Sequence, residues 1–157
     1  MKTRARHAFS LVEVTLALGV AAISLLVIFS FLPVGLQTNQ RSIEQTASAD
    51  ILSAVAADLR ATPVTSPRGG ATTSTQFSIS IPDAGSTGTT TLFFNSAGQS
   101  IASQQSDSRY RITVTFLSSG GGAKTATFAD VKVTWPAGAA IANAQGSAEM
   151  FAAFDRN

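Results

Sequence analysis

Cysteine is absent from the chain and histidine occurs once, at His7. Without thiols there is no disulfide framework and no thiolate ligand or nucleophile. The single imidazole, His7, stands in the short N-terminal tail ahead of the long apolar run, so the rest of the chain offers the usual nucleophile–base arrangements no histidine base. Charge is scarce as well: charged side chains make up 13% of 157 residues, 11 basic against 9 acidic, net +2. That balance argues against a nucleic-acid partner, which calls for a concentrated basic face. The acidic residues are scattered singly, and no pair of them sits with a base or at metal-ligand spacing. The expectation is a protein that is not an enzyme, with no catalytic residues, no metal, no cofactor and no small-molecule substrate. Two weaker motifs remain. Gly120-Gly121-Gly122-Ala123-Lys124-Thr125 approaches a phosphate loop and fails it, because Ala123 replaces the glycine before lysine, Ser118 stands where the first glycine belongs, and strand-like sequence follows. Arg109, Arg111, Lys132 and the lone Trp135 are candidates for a basic-aromatic patch, a pattern that an ordinary solvated strand face also produces.

What the chain does have is one long apolar run, Phe9 to Leu36, whose only charge is Glu13. From Val14 to Leu32 nothing ionises. At ~1.5 Å per residue that helix reaches about 29 Å, close to the hydrocarbon thickness of a bilayer. Lys2, Arg4 and Arg6 precede it without an acid, which keeps the short N-terminal tail cytoplasmic and sends the rest of the chain across. A secretory signal peptide would show a shorter apolar core and a small-x-small site after it; here the run continues into Phe31-Leu32-Pro33-Val34-Gly35. Ala17, Gly19, Ala21, Ala22 and Ser24 offer small faces for close helix approach in lipid. Pro33 removes the hydrogen bond to the Phe29 carbonyl, so a kink or short unwound section is expected around Phe29 to Gly35, where the membrane ends.

The stretch His7-Ala8-Phe9-Ser10-Leu11-Val12-Glu13-Val14 resembles the cleavage and methylation motif of type IV pilins and type II secretion pseudopilins. The resemblance implies a basic leader, residues 1–8, removed by a membrane-embedded prepilin peptidase between Ala8 and Phe9. It makes Phe9 the N-methylated terminus and Glu13 the acid used in subunit assembly. Phe9, Ser10, Leu11, Glu13 and Val14 fit the motif; Ala8 departs from it, since the family nearly always has Gly there. Loss of the three leader bases leaves 11 − 3 = 8 basic against 9 acidic residues, net −1. A carboxylate within hydrocarbon costs roughly 2.5 to 3.5 kcal/mol on insertion scales and normally has a partner. Cleavage creates one, the cationic amine of a neighbouring subunit, and pairing fixes the axial offset of adjacent helices.

Beyond the span, residues 37–62 read as an amphipathic helical extension. Ile43, Ala47, Ile51, Val55 and Leu59 recur every four residues with Leu52 and Ala54 alongside, while Arg41, Glu44, Asp50, Asp58 and Arg60 fall on other faces. Thr62-Pro63, Pro67 and Gly69-Gly70 end it. Residues 71–157 then change texture to Ser, Thr and Gly with short alternating runs. Strands are expected at Gln76 to Ile81, Thr90 to Asn95, Gln99 to Ser103, Arg109 to Leu117, Thr125 to Trp135 and Ser147 to Phe154. Tyr110, Ile112, Val114 and Phe116 form one face of the clearest of them, and Ala129, Val131, Val133 and Trp135 one face of another. The expected fold is α+β: a long N-terminal helix, first half transmembrane and second half amphipathic, packed on an antiparallel sheet of four to five strands, which is also what the pilin resemblance implies.

Further along, SIEQTASADILSAVAADLRATP, RYRITVTF, VTWPAG and the terminal DRN are similar to the bacterial prepilin-like group called Verru/Chthon cassette protein B. That likeness implies partners among sibling prepilin-like subunits, besides prepilin peptidase and membrane lipid. The functional expectation is a minor pilin or pseudopilin-like subunit of an envelope filament or secretion-type assembly, single-pass in the inner membrane with its C-terminal domain outside the cytoplasm. Two other readings are an uncleaved single-pass anchor displaying a β-rich binding domain, and a secreted binding protein with an unusual signal peptide.

Overall fold

In the computed structural model of the chain, the structure describes residues 10–63, 65, 69–118 and 126–155. The leader, with Ala8 and Phe9, and the Gly120–Thr125 motif lie outside those residues. The chain divides into two compact units, Met1–Ile43 and Glu44–Asn157.

Helix α1 runs from Leu11 to Ala61, 51 residues, and contributes to both units. In the first unit every described residue is exposed, including Leu16, Val20, Ile23, Leu26 and Phe29. A window of this stretch has a mean hydropathy of 2.5, long and apolar enough to cross a membrane. Its hydroxyls are spent on its own backbone. Thr15 Oγ1 donates to the Val12 carbonyl at 2.9 Å, Ser24 Oγ to Val20 at 2.8 Å and Ser30 Oγ to Val27 at 2.6 Å. These are all the hydroxyl side chains between Val14 and Leu32, so no polar side chain in that interval needs an outside partner. Of the kink or short unwound section expected near Pro33, the unwound section does not occur: the helix continues through Pro33 and Gly35. Proline removes one N–H and so one rung, and the rungs on either side keep the helix continuous.

In the second unit α1 covers a sheet. Ile51, Leu52, Val55, Ala56 and Leu59 are buried, with Ala47 packed at their margin. Ile43, expected in this stripe, is 61% exposed. Thr62 closes the helix, its N–H reaching the Leu59 carbonyl and its hydroxyl the Asp58 carbonyl, just before Pro63.

The sheet has five antiparallel strands. They are β3 (Gly88–Asn95), β4 (Ser100–Ile101), β5 (Ser108–Leu117), β6 (Thr127–Trp135) and β7 (Gly146–Phe154), in spatial order β4-β3-β5-β6-β7. A separate two-stranded sheet pairs β1 (Thr72–Thr73) with β2 (Ser80–Ile81). Register follows the alternation in the sequence. Ile112 lies opposite Leu92 and Val133, and Val114 opposite Val131, which puts all of them on the helix-facing side. Tyr110 meets Trp135 edge-on at 6.2 Å, and Phe94 meets Phe77 at 5.4 Å. Gly146 starts β7 where a side chain cannot fit: an added Cβ would come within 2.2 Å of the Trp135 indole.

The strand expected over Gln76 to Ile81 shrinks to Ser80–Ile81. Its alternation survives in burial, with Ile79 and Ile81 inside. Its first half is a turn, with Ser78 at a left-handed φ of 54°. The backbone N–H groups of Gln76 and Phe77, which a strand would commit to a ladder, go to a helix carboxylate instead.

Candidate functional site

Glu13 sits in the first turn of α1, where Glu13 N–H and Val14 N–H both donate to the Ser10 carbonyl at 3.0 and 3.1 Å. The first turn suits an acid, because the unsatisfied N–H groups there carry partial positive charge. One and two helical turns further on, on the same face, come Ala17 and Ala21, and with Val14 and Leu18 they form a shallow apolar trough running away from the carboxylate. Among the described residues Glu13 has no ion-pair partner. The surface on offer is therefore one acid at the head of a groove whose small side chains let another helix approach closely. Ala8 and Phe9 complete the sequence-based site and lie outside the described residues. Pro33 and Gly35 lie within the unbroken helix, and a Cβ added at Gly35 would meet nothing within 4 Å.

The basic-aromatic patch does not form. Trp135 is buried on the helix-facing side, while Arg111 and Lys132 share the opposite face through the register Arg111–Thr134 and Thr113–Lys132. Each cation is already engaged. Arg109 pairs with Glu44, Lys132 with Glu149 at 3.2 Å, and the Arg111 guanidinium lies 6.0 Å from the Phe93 ring centre. Among the described residues there is no group of three or more metal-ligating side chains. A cleft of about 570 Å³ between α1 and the β3–β4 turn has an apolar floor of Ile51, Phe77 and Phe94 and a polar rim of Asp50, Gln76 and Gln99. It brings no acid beside a base.

Two acids that the sequence places off the apolar stripe are buried, Glu44 and Asp58. Asp58 anchors the turn between β1 and β2. It accepts from Ser74 Oγ at 2.5 Å, Gln76 N–H at 2.8 Å, Phe77 N–H at 3.0 Å and Thr75 Oγ1 at 3.4 Å. Burial pushes its carboxyl up, but the donors from Ser74, Gln76, Phe77 and Thr75 together outweigh that and hold it below the ordinary value of 3.8. Ser74 Oγ in turn accepts from Ile79 N–H at 3.0 Å, so one carboxylate orders the whole turn. A signal for both acids was present. Glu44, Ser48, Ile51, Val55, Asp58 and Thr62 follow one another at intervals of 4, 3, 4, 3 and 4, a seam with a period near 3.5. The strict four-residue stripe Ile43–Ala47–Ile51–Val55–Leu59 drifts off the buried face at Ile43.

Asp130 on β6 is the counterexample. Burial, then the Glu149 charge, push its carboxyl above 3.8, and Lys132 only partly opposes them. Its Oδ1 is buried without a hydrogen-bond partner among the described residues. It is an acid tolerated on the outer sheet face, where Phe128 and Phe151 pack at 6.1 Å.

No known protein family, curated protein or solved structure matches this chain.

Proposed function

We propose that the protein is a minor pilin or pseudopilin-like structural subunit, held in the inner membrane by the first part of α1 and assembled through that helix with sibling prepilin-like chains. Prepilin peptidase removes residues 1–8, methylated Phe9 becomes the terminus, and the sheet-bearing unit lies on the far side of the membrane from the leader. The observation that carries this reading is the helix segment Leu11–Leu36: apolar, exposed along its length, with its hydroxyls satisfied internally and a single acid at its head that has no ion-pair partner among the described residues. A helix of that composition belongs in lipid, and an acid there requires a cation. The motif around Phe9 supplies that cation as the freed amine of a neighbour, with the trough of Ala17 and Ala21 as the seat for its helix. The uncleaved-anchor reading uses the same span but frees no amine at Phe9 to pair with Glu13.

The experiment is Glu13→Leu in the native host. Membrane insertion and processing are expected to stay at wild-type levels, whereas co-isolation with partner prepilin-like proteins from mild detergent is lost. Undiminished co-isolation of the Glu13→Leu protein contradicts the pairing.

A further inference from the structure

The two edges of the five-stranded sheet are finished differently. On one side the outer edge of β3 is obstructed at both ends: β4 pairs with Phe93 and Phe94, and the β2 segment lies against the start of the strand, where Thr90 Oγ1 donates to the Ser80 carbonyl and Pro82 lies beside Gly88. On the other side β7 pairs with β6 along nine residues in one continuous register, and among the described residues nothing pairs with its outer edge. Natural edge strands are blunted by lysine, proline, bulges or shortness. β7, Gly-Ser-Ala-Glu-Met-Phe-Ala-Ala-Phe, has no lysine, no proline and no bulge, and its one charge, Glu149, is already paired with Lys132. Both faces beside this edge are also unfinished: Met150 and Ala148 on the core side are only half-buried, and Phe151 on the outer side is 61% exposed.

We propose that β7 pairs antiparallel with β7 of a second copy of this chain, joining two sheets edge to edge about a two-fold axis through Phe151. The obstructed opposite edge selects this occupant. Head-to-tail stacking of sheets needs two free edges, whereas a two-fold pairing needs one and closes on itself. Side chains select the register. Residues opposite one another share a face, so the axis falls on a residue of β7. Centred on Glu149 it opposes two carboxylates, and centred on Met150 it sets Glu149 against the Phe151 ring. Centred on Phe151 it sets Phe151 against its counterpart, Met150 against Ala152, Ala148 against Phe154 and Glu149 against Ala153. Large then meets small on the core side, and Phe128 and Phe151 of each copy join into one aromatic row on the outer side. The pairing uses the sheet alone and does not depend on the membrane reading of α1.

The absence of cysteine allows a direct test. Opposed residues in an antiparallel pair have Cα atoms about 4.5 to 5.5 Å apart, within the span of a disulfide. In the full chain purified in detergent, mild oxidation of Phe151→Cys is expected to give a covalent dimer, and Thr91→Cys, on the outer face of β3, none. In cysteine-free chains, sedimentation is expected to show a wild-type dimer, and Phe151→Lys, which opposes two cations, at least a tenfold weaker one with unchanged circular dichroism. A monomeric wild type, equal cross-linking at both positions, or a Phe151→Lys dimer as tight as wild type overturns the proposal.

Discussion

Leu11–Ile43 and Glu44–Ala61 belong to one helix and differ in nearly everything that burial depends on. The first is the more apolar and leaves its large side chains exposed; the second carries three acids and two serines and buries Glu44, Asp58 and Ser48. Hydrophobicity alone therefore does not mark the core of this protein. What marks it is pattern. The second stretch places apolar residues and matched polar ones along a single seam and meets a sheet with an alternating face. From Leu11 to Leu36 the first is greasy around its whole circumference, which gives no side a reason to face water. The same contrast governs the acids. Asp58 is buried because four donors converge on it, and Glu13 is bare because its own chain offers none among the described residues.

The sharpest break between the two stretches comes from equivalent truncations. Leu59 is fully buried, and Leu59→Ala is expected to cost about 2–5 kcal/mol of stability. Leu26→Ala, on the bare stretch, is expected to leave unfolding unchanged. Denaturant titration in detergent, followed by the single tryptophan Trp135 in the core, separates the two; equal losses would erase the distinction. Asp58→Ala comes next, at roughly 2–3 kcal/mol, because it strands buried donors of the β1–β2 turn. Since the folded carboxyl lies below 3.8, its contribution is complete at neutral pH and is lost only as pH falls below that value through the lowered folded one. Asp58→Asn is expected to lose stability at pH 7 while showing a shallower acid limb than wild type.

The smallest effect has the opposite sign. Asp130 has a raised folded pKa, so its favourable protonated contribution is present below 3.8 and disappears as pH rises through the folded value. At neutral pH the ionised group is a liability, with one oxygen buried and unpaired among the described residues. Asp130→Asn is expected to unfold at slightly higher denaturant than wild type at pH 7, and the gain is expected to vanish in acid. A loss at pH 7 would show that the carboxylate has a partner after all.

Much of the fold was legible because period and burial agree. The alternation in Arg109–Leu117 and Thr125–Trp135 gave β5 and β6 to within two residues, and the strand expected at Ser147–Phe154 is β7, which pairs with β6. What was not legible involves long-range polar capture. Nothing local in Gln76–Ile81 shows that a carboxylate many residues upstream will take two of its amides, so a strand pattern became a turn. Glu44 and Asp58 looked solvated because a charge is ordinarily exposed; only their spacing along the seam gives them away. The expected unwinding at Pro33 failed because a proline's cost depends on how well the neighbouring turns are held. For the candidate site, Glu13 and its small-residue face were visible in the sequence, while the trough's continuity needed the helix.

The central claim is that the bare half of α1, once inserted in lipid, loses its basic leader there and so frees a cation for a neighbour's Glu13. Intact mass and N-terminal fragmentation of the protein from native membranes test it most directly. The account predicts a chain beginning at methylated Phe9. A functional protein that keeps Met1–Ala8, or one that starts beyond Leu32, contradicts it.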